Sequence, residues 1–288
     1  MGTTGWIVLG GVVYVALSAA VVIVVLRAWR RAMRLPDQHP AAYLAAGKPR
    51  GDGPVVVCAG DSLTHGHVSA SFVEALRARL RTRGFVFVNA GINGELSYNL
   101  LQRIDEVVAC EPDLVTVLIG TNDATASMMA NKRQKAMQEK GLPLEPDPDR
   151  FREWLTQIVA RLTTRSSARV ALISPPPIGE DLAAPIAVRS TEYAAIVEDV
   201  AGQFGVTYLP LHERMVEQIR AAGDGRRPLP YDERNILIFK AILSYHLLGR
   251  SWDEIGRRNG YLLLTDALHL SDRGAALATE LIEEFLHR

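Results

Sequence analysis

Between Pro54 and Leu209 one pattern recurs: a short apolar run, a stop at Gly, Asn or Pro, and then apolar residues at helical spacing. The runs are Pro54–Ala59 (PVVVCA), Phe85–Asn89 (FVFVN), Asp113–Ile119 (DLVTVLI), Arg169–Ser174 (RVALIS) and Val206–Leu209. They are apolar along their length rather than on alternate residues, which predicts strands covered on both faces. The intervening stretches predict helices. One carries Phe72, Val73, Leu76 and Leu80; others run over Leu96–Val108, Phe151–Leu162, Thr191–Phe204 and Asp272–Leu286. Repeated strand–helix units predict a parallel sheet between two helical layers, with right-handed crossovers. Such sheets bind ligands at the carboxyl ends of their strands. Function is therefore to be sought in the residues that follow each run.

With 288 residues, 48% of them hydrophobic and 22% charged, the chain can bury a sizeable core. Its formal net charge is zero, which gives no electrostatic footing for a nucleic-acid partner. Ser251–Gly260 has the look of the first half of a helix-turn-helix. The apolar Tyr261–Leu264 that follows is no basic recognition helix. Cys58 and Cys110 lie in or beside apolar segments and read as buried thiols rather than a bridge or a metal pair.

The N-terminus carries a different signal. From Trp6 to Leu26 there is no charged residue. As a helix this run is about 31 Å long, enough to cross the hydrocarbon core of a bilayer. It is too long for the apolar stretch of a signal peptide, and no Lys or Arg precedes it. The expectation is one transmembrane helix. Arg27, Arg30, Arg31 and Arg34 follow at once, so the positive-inside rule puts the C-terminal flank and the domain behind it in the cytoplasm. Residues 1–35 are then an anchor with a basic flank. Residues 36–53, rich in Pro and Gly, read as a flexible or extended linker, and residues 54–288 as the folded domain.

Four strand-end segments carry the candidate chemistry. Gly60-Asp61-Ser62-Leu63-Thr64 follows the first run, and Asn89-Ala90-Gly91-Ile92-Asn93-Gly94-Glu95 the second. Gly120-Thr121-Asn122-Asp123 follows the third, and Asp266-Ala267-Leu268-His269 precedes the closing helix. Taken singly, Ser62 is a helix cap, the glycines make turns and His269 is a solvated loop residue. All four in order, at one edge of one sheet, are a site. A serine hydroxyl needs a base, and an imidazole that titrates near neutral pH is suited to the task. His65 and His67 stand close to Ser62 but have no companions at metal-ligand spacing.

This ordered set resembles the SGNH hydrolases, or GDSL-type esterases and lipases. Ser62 stands within GDSLT, Gly94 within NAGINGE, Asn122 within GTND and His269 within DALH. The resemblance covers roughly residues 54 to 288. It implies a flavodoxin-like three-layer α/β/α sandwich with a parallel sheet, here preceded by the N-terminal helix. It also implies hydrolysis of acyl esters with no metal or organic cofactor. By that resemblance Ser62 is the nucleophile, His269 the general base and Asp266 its orienting partner. Ser62 N–H, Gly94 N–H and the Asn122 side chain form the oxyanion hole, with Gly91 as an alternative to Gly94. Asp61 and Asp123 read as braces of their turns rather than as a chemical pair.

Two insertions flank the site. Ala124–Arg150 mixes Met128, Met129 and Met137 with Lys132, Arg133, Lys135 and Lys140, and reads either as a lid that meets anionic headgroups or as a solvated helix and loop. Pro228–Tyr261 holds NILIFKAILSYHLLG, too short to span a bilayer, which predicts a buried helix or an apolar wall of an acyl pocket. The expected activity is a membrane-anchored serine hydrolase acting on acyl esters or thioesters, with lipid-type substrates favoured. The alternatives are a sugar O-acetyl esterase or acyltransferase, and a non-catalytic membrane-anchored binding module.

Overall fold

The computed structural model describes residues 3–223, 225–232 and 234–287; within the first helix it describes the side chains of Tyr14 and of residues 18–33. In chain order the elements begin with α1 (Thr3–Met33), α2 (Pro40–Ala45), β1 (Val55–Gly60), α3 (Ser62–His65), α4 (Phe72–Leu80) and β2 (Val86–Gly91). Next come α5 (Ser97–Gln102), α6 (Ile104–Ala109), β3 (Leu114–Leu118), α7 (Thr121–Met128), α8 (Ala130–Glu139), α9 (Pro148–Arg165) and β4 (Arg169–Ile173). The chain closes with α10 (Pro185–Phe204), β5 (Thr207–Leu209), α11 (Leu211–Ala221), α12 (Ile236–Leu248), α13 (Trp252–Arg258) and α14 (Asp272–His287).

The five strands form one parallel sheet in the order β2-β1-β3-β4-β5, the flavodoxin-like order expected. Alternate residues of β1 feed two cores. Val55, Val57 and Ala59 pack with α5, α6, α9 and α10 on one face. Val56 and Cys58 pack with α4, α11 and α14 on the other. Helix α9 shows why these segments are helical. Asp147 caps it by accepting from Arg150 N–H at 2.7 Å, Pro148 opens the first turn, and Phe151, Trp154, Leu155, Ile158, Val159 and Leu162 form one buried stripe.

Register decides where the site lies. Gly60 pairs with Gly91 on one side and Leu118 on the other, and Leu118 pairs in turn with Ile173. The carboxyl ends of β1, β2 and β3 therefore stand level, and the three segments that follow them open onto one edge. The helix expected over Leu96–Val108 is two helices. The chain breaks at Arg103, whose guanidinium turns inward to the carbonyls of Gly60 and Ala90 and to the Glu95 carboxylate.

Outside the sandwich two expectations need correction, and a third, the transmembrane helix, is not shown. The transmembrane expectation for Trp6–Leu26 is not supported: α1 contains that run, but the side chains of residues 6–13 and 15–17 lie outside the described residues. Among the described residues no helix is long and apolar enough to cross a membrane. The far end of α1, beyond that run, docks on protein. Ala28 and Ala32 are buried, Ala32 clusters with Val68 and Ile242, and the Trp29 and Phe239 rings lie 6.3 Å apart. Its end is also tied by hydrogen bonds, with Asn93 Nδ2 donating to Ala32 O at 3.0 Å and His67 Nδ1 to Arg34 O at 2.8 Å.

The linker, residues 36–53, is not a free tether. Helix α2 interrupts it, Tyr43 is buried in the main core, and Asn89 N–H of β2 donates to Gln38 O at 2.9 Å. An edge strand left bare would invite pairing with another chain, and this segment covers part of it. Helix α12 buries only Ala241 and Ile242, so it is not the buried helix that was one expectation. Ile236, Phe239, Tyr245, Leu247 and Leu248 are exposed.

Candidate active site

Ser62 is the first residue of α3, one turn after the end of β1. Asp61 caps that turn, its Oδ1 accepting from Leu63 N–H at 3.0 Å. Ser62 Oγ lies 3.0 Å from His269 Nε2. On the far side of the imidazole, Nδ1 lies 2.9 Å and 3.1 Å from the two Asp266 oxygens. With Nδ1–H donating to the carboxylate, Nε2 is left to accept from the serine hydroxyl. Asp266 and His269 are buried, whereas Ser62 is part-exposed.

Asp266 and His269 meet through a tight turn rather than a helix. Asp266 Oδ1 accepts from Leu268 N–H at 3.1 Å and His269 N–H at 2.9 Å. Ala267 between them takes φ 77°, a strained backbone for a residue with a side chain. Gly179 N–H holds that peptide by donating to Ala267 O at 2.7 Å. Glu180, fully buried in its side chain, sits behind the same loop. It accepts from the N–H groups of Leu262, Leu263 and Leu264 and pairs with Arg226. No motif marks Glu180 in the sequence; its only signal is an acid in an apolar, Pro-rich stretch after β4.

Burial works against the His269 imidazolium, but the Asp266 carboxylate beside it, with Asp61 further off, outweighs burial and raises its pKa. Burial likewise opposes the Asp266 anion, yet His269 and the two backbone N–H groups hold its pKa below the usual carboxylate value. Burial pushes Asp61 up to about 7 and Asp123 up to about 6. Asp123 accepts from Ser97 N–H and from Ser97 Oγ at 2.5 Å, which pins the start of α5 to α7. Both acids act as braces, as their positions in the sequence suggest.

The two candidate oxyanion glycines separate cleanly. Gly91 N–H is occupied, donating to Asn89 Oδ1 at 3.0 Å. A Cβ on Gly91 would lie 2.2 Å from His65 N, so Gly91 serves close packing between β2 and α3. Gly94 takes φ 71° and lines the cavity that holds Ser62, and among the described residues its N–H has no acceptor. Ser62 N–H, first in its helix, has none either. Asn122 lines the same cavity, but its Nδ2 already donates to Glu95 O at 2.9 Å and to Asp61 Oδ2 at 3.2 Å.

The cavity over Ser62 measures about 330 Å³. Its walls come from parts of the chain far from the strand ends. Trp29 and Met33 of α1, Val68, and Ile238 and Ile242 of α12 supply apolar surface; Lys132, Lys135 and Lys140 of the first insertion supply charge. Trp29 and Met33 were missed by sequence reasoning, since an apolar run followed by arginines reads as anchor and flank. Among the described residues no cluster of His, Cys, Asp or Glu is placed to hold a metal ion. His65 and His67 meet edge to face with ring centroids 4.6 Å apart.

Comparison with known proteins places this geometry among relatives. A family model described as "GDSL-like Lipase/Acylhydrolase family" matches residues 58–277. The chain is similar to the acetylxylan esterase Axe2 of Geobacillus stearothermophilus at 18% identity, over 83% of this chain and 96% of that one, with a TM-score of 0.58. It is similar to the acetyl xylan esterase AlAXEase at 20% identity, over 80% of this chain and 98% of that one, with a TM-score of 0.54. A hydrolase, LAE5, from the metagenome of Lake Arreo in Spain matches at 18% identity, over 82% and 95%, with a TM-score of 0.54. At these identities the likeness shows the fold. No curated protein matches the sequence.

Proposed function

The chain belongs to the GDSL-like lipase/acylhydrolase family, and on that premise we propose that Ser62, His269 and Asp266 hydrolyse carboxylic esters through an acyl-enzyme. The observation that carries the reading is the unbroken relay from Ser62 Oγ to His269 Nε2 and from His269 Nδ1 to Asp266, beside two N–H groups that have no acceptor among the described residues. Ser62 Oγ attacks the acyl carbon as His269 Nε2 takes its proton. The Ser62 and Gly94 N–H groups face the oxyanion that forms. Asn122 joins them when the oxyanion replaces Asp61 Oδ2 as acceptor of the longer of its two hydrogen bonds. His269 then gives its proton to the departing alcohol. Water, deprotonated by the same imidazole, releases the acid and restores Ser62.

Lipid-type acyl esters are the favoured substrates in this reading. Support comes from the apolar wall of Trp29, Met33, Ile238 and Ile242 around the cavity. The charge-free run Trp6–Leu26 supports a membrane anchor, and Arg27, Arg30, Arg31 and Arg34 support a cytoplasmic position for the hydrolase domain, residues 54–288. A second reading, a sugar O-acetyl esterase or acyltransferase, is favoured by the acetylxylan esterases that share the fold. A series of nitrophenyl esters from acetyl to palmitoyl, run with the full chain and with Ser62→Ala, separates the two. Ser62-dependent turnover that rises with chain length supports the lipid reading. Turnover confined to acetyl moves the assignment to the sugar ester. Activity that survives Ser62→Ala in a folded protein removes Ser62 from the mechanism.

A further inference from the structure

Gly94 has against it a residue that the family motifs do not include. Lys140 stands at the C-terminal end of α8, in the first insertion. Its Nζ donates to Asn93 O at 3.2 Å. That carbonyl and the Gly94 N–H belong to the same peptide bond. No cis peptide occurs among the described residues, so the two groups point in opposite directions across one rigid plane. A cation on the oxygen therefore stands behind the N–H, on the side away from its acceptor.

We propose that Lys140 is a positioning residue of the oxyanion hole, whose ammonium orients and polarises the Asn93–Gly94 peptide so that its N–H faces the developing oxyanion. The proposal rests on the reading of Gly94 as an oxyanion donor. Two effects follow from the contact. Gly94 has no Cβ to resist a flip of its preceding peptide, and a charge-assisted bond to the carbonyl holds the plane. Electron density drawn toward Asn93 O also leaves the Gly94 N–H a stronger donor.

The surroundings hold Lys140 to this task. Its own carbonyl accepts from Asn99 Nδ2 at 2.8 Å, and Asn99 Oδ1 accepts from Leu96 N–H at 3.1 Å. One side chain thus ties the oxyanion loop to the end of α8. From the other side, Asn93 Nδ2 binds Ala32 O of α1. An ideal Cβ on Gly94 would sit 3.6 Å from both Cε and Nζ of Lys140, so the ammonium lies against the glycine itself. Glu95 after β2 and Glu139 on α8 favour the charged form, whereas Lys135 on α8 and burial oppose it, and the balance lowers the Lys140 pKa.

The test uses the full chain and a neutral ester, nitrophenyl butyrate, so that Lys140 has no substrate charge to bind. Wild type, Ser62→Ala, Lys140→Met and Lys140→Arg are compared for kcat, KM, the alkaline limb of kcat and Tm. The expected result is a fall of about tenfold in kcat for Lys140→Met with KM within about twofold. Lys140→Arg recovers most of that loss. It also lacks the alkaline decline that wild type shows as Lys140 loses its proton. An unchanged kcat in Lys140→Met, with Ser62→Ala silent, overturns the proposal and leaves the hydrolase reading standing. So does a rise in KM alone, which makes Lys140 part of the substrate wall. Equal losses of kcat and Tm in the Met and Arg variants reduce it to a structural tie. Turnover by Ser62→Ala removes the hydrolase reading and this one together.

Discussion

The strand-end half of the site and the helical half that walls it are built on opposite principles. At the strand ends the charged side chains are held by several hydrogen bonds each. Asp266 accepts from three N–H groups, those of Leu268, His269 and the His269 imidazole, and Arg103 clasps two carbonyls and Glu95 at once. Across the cavity, α8 and α12 bury little. Ala136 is the one residue that α8 buries, and Phe239, Leu247 and Leu248 of α12 face outward. Groups that must hold a reacting atom to a fraction of an ångström are set on a rigid sheet. The helices across the cavity carry few buried residues and present most of their surface outward. Lys140 is the point where the second half reaches into the first.

The comparison is broken most directly by Asp266→Asn. Removing the orienting carboxylate should lower kcat by about 10³- to 10⁴-fold without unfolding the protein. The acid limb of kcat/KM should lie above the usual histidine value in wild type, because Asp266 raises the His269 pKa, and should move to lower pH in the variant. A loss under tenfold would mean that the strand-end half tolerates slack.

The same pair links stability to pH. Its Asp266 share is present above the unfolded carboxylate value of about 3.9 and is lost as pH falls through the depressed folded pKa. The His269 share is full below the unfolded value of about 6.5 and is lost as pH rises through the raised folded pKa. The Tm gap between wild type and Asp266→Asn should therefore be widest between those limits and narrow on both sides.

A smaller effect sharpens the contrast inside the oxyanion hole. Asn122→Ala should reduce kcat by about 10²- to 10³-fold if its amide joins the transition state. A loss below about tenfold would show that Asp61 keeps the amide to itself and that the two N–H groups suffice. The smallest effect belongs to the walls. Trp29→Ala combined with Met33→Ala should raise KM for decanoyl esters by about tenfold and leave acetyl turnover unchanged. Equal effects on both esters would place α1 in the catalytic half after all.

The sequence was legible where function and local chain geometry coincide. GDSLT, GTND and DALH each put a reactive group directly after a strand or before a helix, and the structure brings all three together. Gly94 over Gly91 was legible only as a preference. The close packing that explains Gly91 itself, an ideal Cβ there falling 2.2 Å from His65 N, involves a residue 26 positions away. Glu180 was missed because a lone buried acid has no periodicity. Lys140 was grouped with the basic surface of an insertion because its bond to Asn93 O joins segments 47 positions apart.

What the sequence determined by itself is therefore the alternation of strands and helices, the parallel sheet and the identity of the residues at its edge. Each of these follows from period, turn chemistry or strand-end position, which are local properties of the chain. The tertiary structure alone decided that the Gly91 N–H is taken by Asn89, that Asn122 is already shared with Asp61, and that the end of α1 walls the cavity. Those are outcomes of packing between distant segments, and no local pattern records which distant neighbour a residue will meet.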